Sequence, residues 1–77
     1  MNTLRNISLS DYRRILAEFG CEFKRSKGDH EVWWKDGMKR PIIFHTHIEV
    51  IPEPIVRNTI RDLEITHEEF LKIFKKI

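Results

Sequence analysis

Seventy-seven residues with 40% hydrophobic content make room for one domain with one modest core, because chains this short rarely divide into two. The lone Cys21 excludes an internal disulfide and fits a reducing compartment, and no apolar run nears the roughly 20 residues that span a bilayer. A net charge of +2 is too small to argue for a nucleic-acid partner by its sum, so the distribution of charge must carry that argument. Met1-Asn2-Thr3-Leu4-Arg5 lacks the hydrophobic stretch of a secretory signal. The expectation is a cytoplasmic protein with no membrane attachment.

The first element is a helix. Ser8 and Ser10 are both candidate N-caps, and Asp11 suits the positive end of the helix dipole. Leu9, Tyr12, Ile15, Leu16 and Phe19 recur at helical spacing and make one apolar stripe. Gly20 can take the left-handed conformation that ends a helix. Cys21 and Phe23 then alternate with Glu22 and Lys24, which predicts a strand with Cys21 in or near the core. Residues 26–29 break that alternation.

His30 to Lys35 is rich in β-formers, and Asp36-Gly37 is a strong hairpin signal. Arg40 to His45 gives the returning strand, with Pro41 near its start, where a missing amide donor is tolerated. Adjacent Trp33 and Trp34 must point to opposite faces. Val32 shares a face with Trp34, so Trp34 is expected under the helices and Trp33 towards solvent. Pro52 and Pro54 end extended structure, and Glu53 or Pro54 opens a second helix with Ile55, Val56, Ile60 and Leu63 on its apolar face. Thr66-His67-Glu68-Glu69 reads as a capping box. It starts a short last helix with Phe70, Leu71, Phe74 and Ile77 on one side.

The expected fold is α+β, a three-stranded antiparallel sheet packed on helices in the order α-β-β-β-α plus a short C-terminal helix. That layout resembles a double-stranded-RNA-binding fold. The whole of residues 1–77 is expected to form one such domain. Positive charge gathers in its middle, where Lys24, Arg25, Lys27, Lys35, Lys39 and Arg40 face only Asp29, Glu31 and Asp36. At the centre of that segment stands Gly28-Asp29-His30, an imidazole beside a basic turn. Histidine titrates near neutral pH, so it can accept and return a proton. Neighbouring lysine and arginine can hold a phosphate and stabilise charge developing on phosphorus.

With these elements in place the chain resembles a HicA-type toxin of bacterial toxin–antitoxin pairs over roughly residues 8 to 74. The resemblance rests on the opening helix, then Phe19-Gly20-Cys21-Glu22-Phe23-Lys24-Arg25, then Lys27-Gly28-Asp29-His30 leading into Val32-Trp33. It continues through His47, Val50-Ile51-Pro52, Arg57-Asn58-Thr59-Ile60 and Thr66-His67-Glu68-Glu69-Phe70. What it implies is an mRNA endonuclease that needs no metal and is held in check by a HicB-like antitoxin. It also implies that His30, at the position of the family's histidine after the glycine turn, is catalytic. Two departures stand out. Asp29 occupies a position where the family usually has serine, and His45 is additional to His47, which fits the family's single histidine. The added carboxylate of Asp29 could orient the His30 ring or repel the RNA phosphate.

In a ribonuclease of this kind a base takes the proton of the ribose 2′-hydroxyl and an acid protonates the leaving 5′-oxygen, roles that suit histidine. His30 is the candidate for one role or both, with His47 the candidate second proton-transfer residue. Lys24, Arg25, Lys27 and the Gly28 backbone would bind RNA, and an outward Trp33 could stack on an unpaired base. A zinc site built on His45 and His47 with Asp29 or His30 is a weak pattern without a cysteine pair, and neither metal nor cofactor is assigned. The alternatives to the enzyme are a non-catalytic RNA-binding domain and a degenerate family member that only binds its antitoxin.

Overall fold

The computed structural model describes residues 4–77, so the leader-free reading of Met1–Arg5 lies partly outside the described residues. Helix α1 spans Leu9–Glu18. Of the two serines, Ser8 is the cap, its Oγ accepting the Asp11 amide at 3.0 Å. Tyr12, Ile15 and Leu16 are fully buried, with Leu9 and Phe19 packed at the margin. Gly20 follows at φ +89°, a conformation that strains an L side chain.

The sheet is antiparallel in the order β1-β2-β3, with β1 at Glu22–Lys27, β2 at His30–Trp34 and β3 at Ile42–His45. β1 runs further than its alternation indicates, because Ser26 and Lys27 pair with Glu31 and His30. The turn is therefore only Gly28-Asp29. Gly28 has φ +60° at the first central position, as a type II′ hairpin turn requires. A bulge between Phe23 and Arg25 places Lys24 out of the ladder. Asp36-Gly37 does turn the chain, with Gly37 at φ +95° and the Met38 amide donating to Lys35 O at 3.1 Å. β3 nonetheless starts only at Ile42, so the second connection is a longer loop that includes Pro41.

The expected tryptophan orientation is reversed. Trp33 is the buried one, at 9% exposure, while Val32 and Trp34 are half-buried. Ile42 and Phe44 of β3 point inwards at 4% and 3% exposure, and they pair with Trp33 and Glu31. Cross-strand partners share a face, so Glu31 goes inwards too. That is tolerable because Arg13 of α1 forms an ion pair with it, donating from Nε to Oε1 at 3.1 Å and from Nη2 to Oε2, and the Trp33 indole N–H donates to Oε1 at 3.0 Å. Burial pushes the Glu31 carboxyl up, but the hydrogen bonds from Arg13 and Trp33 outweigh it and leave the group below the ordinary range.

Helix α2 covers Glu53–Leu63 and ends at Glu64 in the left-handed region. Helix α3 covers His67–Lys76, and its capping box is complete: Glu69 N donates to Thr66 Oγ1 at 3.0 Å and Thr66 N to Glu69 Oε1 at 2.8 Å. At ten residues α3 is as long as α1, so the order is α-β-β-β-α-α with a full third helix. Phe70 of α3 is buried and stacks on Phe19 with ring centroids 6.4 Å apart.

Leu4, Ile7, Tyr12, Ile15, Leu16, Cys21, Trp33, Ile42, Phe44, Ile51, Val56, Ile60 and Phe70 make one core. Burial pushes the Cys21 thiol up, as expected of a packing residue. Within the core the Tyr12 ring meets Phe44 edge-on at 4.9 Å, and its hydroxyl lies 2.5 Å from Thr59 Oγ1. Thr59 donates its own hydrogen to Ile55 O at 2.9 Å. No helix among the described residues is long and apolar enough to cross a membrane.

Candidate functional site

Fixing β2 with Glu31 and Trp33 inwards turns His30, Val32 and Trp34 onto the sheet face opposite the helices. From β1, Arg25 pairs with Val32 and Lys27 with His30, so both cations share that face. From β3, Ile43 and His45 join them, Ile43 at 51% exposure. All six β1 residues are exposed. Arg25 and Lys27 make no ion pair among the described residues, whereas Lys24 bonds Glu22 at 3.1 Å across the bulge.

The tip of the β1–β2 hairpin is tied to the chain leaving β3. Thr46 donates to the Asp29 carbonyl twice, from its amide at 2.7 Å and its hydroxyl at 3.0 Å. That latch brings three imidazoles around one carboxylate. Asp29 Oδ1 lies 3.1 Å from His30 Nδ1, and Asp29 Oδ2 lies 2.7 Å from His47 Nε2. His45, the register partner of His30, places its ring 4.2 Å from the His30 ring, tilted by 43°. Asp29's own backbone amide, then the His47 ring, hold its carboxyl below the usual range. The group is therefore an anion at neutral pH, able to orient both rings by accepting their N–H groups.

Gly28 sits beside this cluster with nothing within 4 Å of where a Cβ would stand. A ligand can approach the backbone there without obstruction. Of the residues singled out in the sequence, Arg25, Lys27, Gly28, His30 and His47 converge here, with Lys24 at the rim. Trp33 does not. Its ring is buried on the inner face, edge-on to its cross-strand partner Phe23 with centroids 5.9 Å apart, and its N–H is committed to Glu31. An outer aromatic surface is offered instead by Trp34, roughly 13 Å along the strand from His30.

Sequence reasoning raised Asp29 as a candidate orienter of His30 and weighed His45 with His30 only as a weak metal pattern. It missed the close contact of the His45 ring with the His30 ring and the bridging of His30 to His47 by Asp29. Both depend on the β2–β3 register, which a loop of uncertain length conceals. His67 lies exposed in the first turn of α3, consistent with a surface residue.

Fold and face together define a small α+β domain with a single sheet, one side packed on helices and the other presenting histidines beside cations. A family model described as the HicA toxin of bacterial toxin-antitoxin matches residues 10–65. The chain belongs to that family, and so to the toxin side of a toxin–antitoxin pair. No curated protein and no solved structure matches it.

Proposed function

We propose that the chain is an endoribonuclease that cleaves mRNA without a metal cofactor, with His30 as the acid/base, and that a HicB-like antitoxin restrains it in the cytoplasm. The observation that carries this reading is the His30 ring, held by Asp29 on an exposed face beside Arg25, Lys27 and the open backbone of Gly28. Family membership supports the toxin role.

In the proposed reaction His30 takes the proton of a ribose 2′-hydroxyl. The oxygen attacks the adjacent phosphorus, and the bond to the 5′-oxygen breaks. The departing oxygen receives a proton, for which His47 is the candidate donor, joined to His30 through the Asp29 carboxylate. The products are a 2′,3′-cyclic phosphate and a 5′-hydroxyl end. Arg25, Lys27 and Lys24 supply positive charge for the phosphates. Trp34, in place of Trp33, offers the stacking surface for an unpaired base.

One observation favours a second reading, a non-catalytic RNA-binding or antitoxin-binding domain: Asp29 puts a negative charge where a phosphate must approach. Incubating single-stranded RNA with the wild type and with His30→Ala separates the two. Cleavage by the wild type that drops about 100-fold or more in the variant supports the enzyme. RNA binding without cleavage, equal in both proteins, supports the second reading.

A further inference from the structure

We propose that Asp29, His30 and His45 form a binding site for a zinc-class divalent cation, and that occupancy switches the domain off. The second half rests on the reading of His30 as the proton-transfer residue.

The donor atoms of the three side chains all lie within 4.8 Å of one another. Tetrahedral zinc with ligands near 2.1 Å needs donors about 3.4 Å apart, so closing the site takes side-chain rotation of the order of an ångström. The side chains have that freedom, being 40% exposed at His30 and 41% at Asp29. The backbone beneath them is fixed. His30 and His45 are direct cross-strand partners, and Thr46 pins the Asp29 carbonyl from two donors.

His47 contacts Asp29 through Oδ2, which leaves Oδ1, the oxygen beside His30, to meet a metal. A histidine that orients a ligating carboxylate is the kind of supporting contact that raises metal affinity. Two imidazoles and one carboxylate suit zinc and its transition-metal neighbours, whereas magnesium and calcium prefer all-oxygen sites. The Asp29 anion offsets part of the repulsion from Lys27, which shares this face. An imidazole that binds a metal through one ring nitrogen carries its proton on the other, so neither nitrogen keeps a lone pair with which to accept one. The same cation would also occupy the approach to the Gly28 backbone.

The test uses the full chain, stripped with EDTA and titrated with zinc sulfate against a chromophoric chelator. The expected result is one zinc per chain, unaffected by excess magnesium and weakened about tenfold or more in both His45→Ala and Asp29→Asn. In RNA cleavage, zinc is expected to arrest the wild type and EDTA to restore it. His45→Ala should need about ten times more zinc for half-inhibition relative to its own zinc-free rate. No zinc uptake by the wild type, uptake unchanged in both variants, or faster cleavage with zinc overturns the proposal. Zinc uptake through Asp29 and His45 in a protein that never cleaves RNA upholds the site and sinks the nuclease reading alone.

Discussion

The buried Tyr12–Thr59 pair allows a prediction about direction as well as size. Thr59 has one hydroxyl hydrogen, and it goes to Ile55 O at 2.9 Å. The 2.5 Å contact with Tyr12 must therefore be donated by the tyrosine. Burial also pushes the Tyr12 hydroxyl up to about 12, so it keeps that proton throughout the neutral range. Tyr12→Phe removes the donor and leaves Thr59 with one unfilled acceptor site, a loss of about 1 kcal/mol. Thr59→Val has nearly the same shape, but it strands a buried O–H with no acceptor, at about 2 kcal/mol. For a domain of this size 1 kcal/mol is worth roughly 4–8 °C in Tm. The expected losses are therefore roughly 4–8 °C for Tyr12→Phe and about twice that for Thr59→Val. The double variant should be more stable than Thr59→Val alone, since it removes the stranded group. Equilibrium urea unfolding near pH 7, with thermal melts alongside, measures all three. If Tyr12→Phe proved the costlier change, or the two losses simply added, the assigned donor direction would be refuted.

Two more outcomes follow from the same face and its supports. The Glu31 carboxyl titrates lower in the folded than in the unfolded chain, whose value lies near 4.3. Its stabilisation is therefore complete above the unfolded value and lost as pH falls through the folded one. Wild type should exceed Glu31→Gln in stability at pH 7, and the gap should close below about pH 4; a gap independent of pH in urea titrations counts against the ion pair with Arg13. Arg25→Gln with Lys27→Gln should reduce the slope of log RNA affinity against log salt by about 1.4, from roughly 0.7 per phosphate contact. An unchanged slope in filter binding would remove both residues from the RNA surface.

Local signals carried most of the fold. Ser8, Gly20 and the Thr66–Glu69 box mark helix ends with their own chemistry, and the structure uses each of them. Strand faces were less legible. In Val32-Trp33-Trp34 every residue is apolar, so period-2 logic has no polar position to anchor it, and the choice passed to β3 and to Arg13. The inward turn of Glu31 has no local signal, because its cation lies 18 positions earlier on α1. The same distinction applies to the candidate site. His30 was visible from its neighbours in sequence, and Lys27 and Gly28 with it. The meeting of Asp29 with His47, and of His30 with His45, is set by tertiary register and by the Thr46 latch, which no local pattern encodes.

β1 lies at one end of the sheet order, and among the described residues no strand lies beside its outer hydrogen-bonding edge. Such an edge can recruit another chain and seed aggregation unless charge or a bulge spoils the template. Here the bulge at Lys24 and the charges of Lys24, Arg25 and Lys27 lie on that strand. The residues suited to attract a phosphate backbone are thus also the ones placed to guard that edge. Replacing them with apolar side chains removes both properties at once, and the resulting self-association would pass for lost RNA affinity. Polar neutral replacements separate the two effects, and the protein's solubility then reads out the second role of its basic strand.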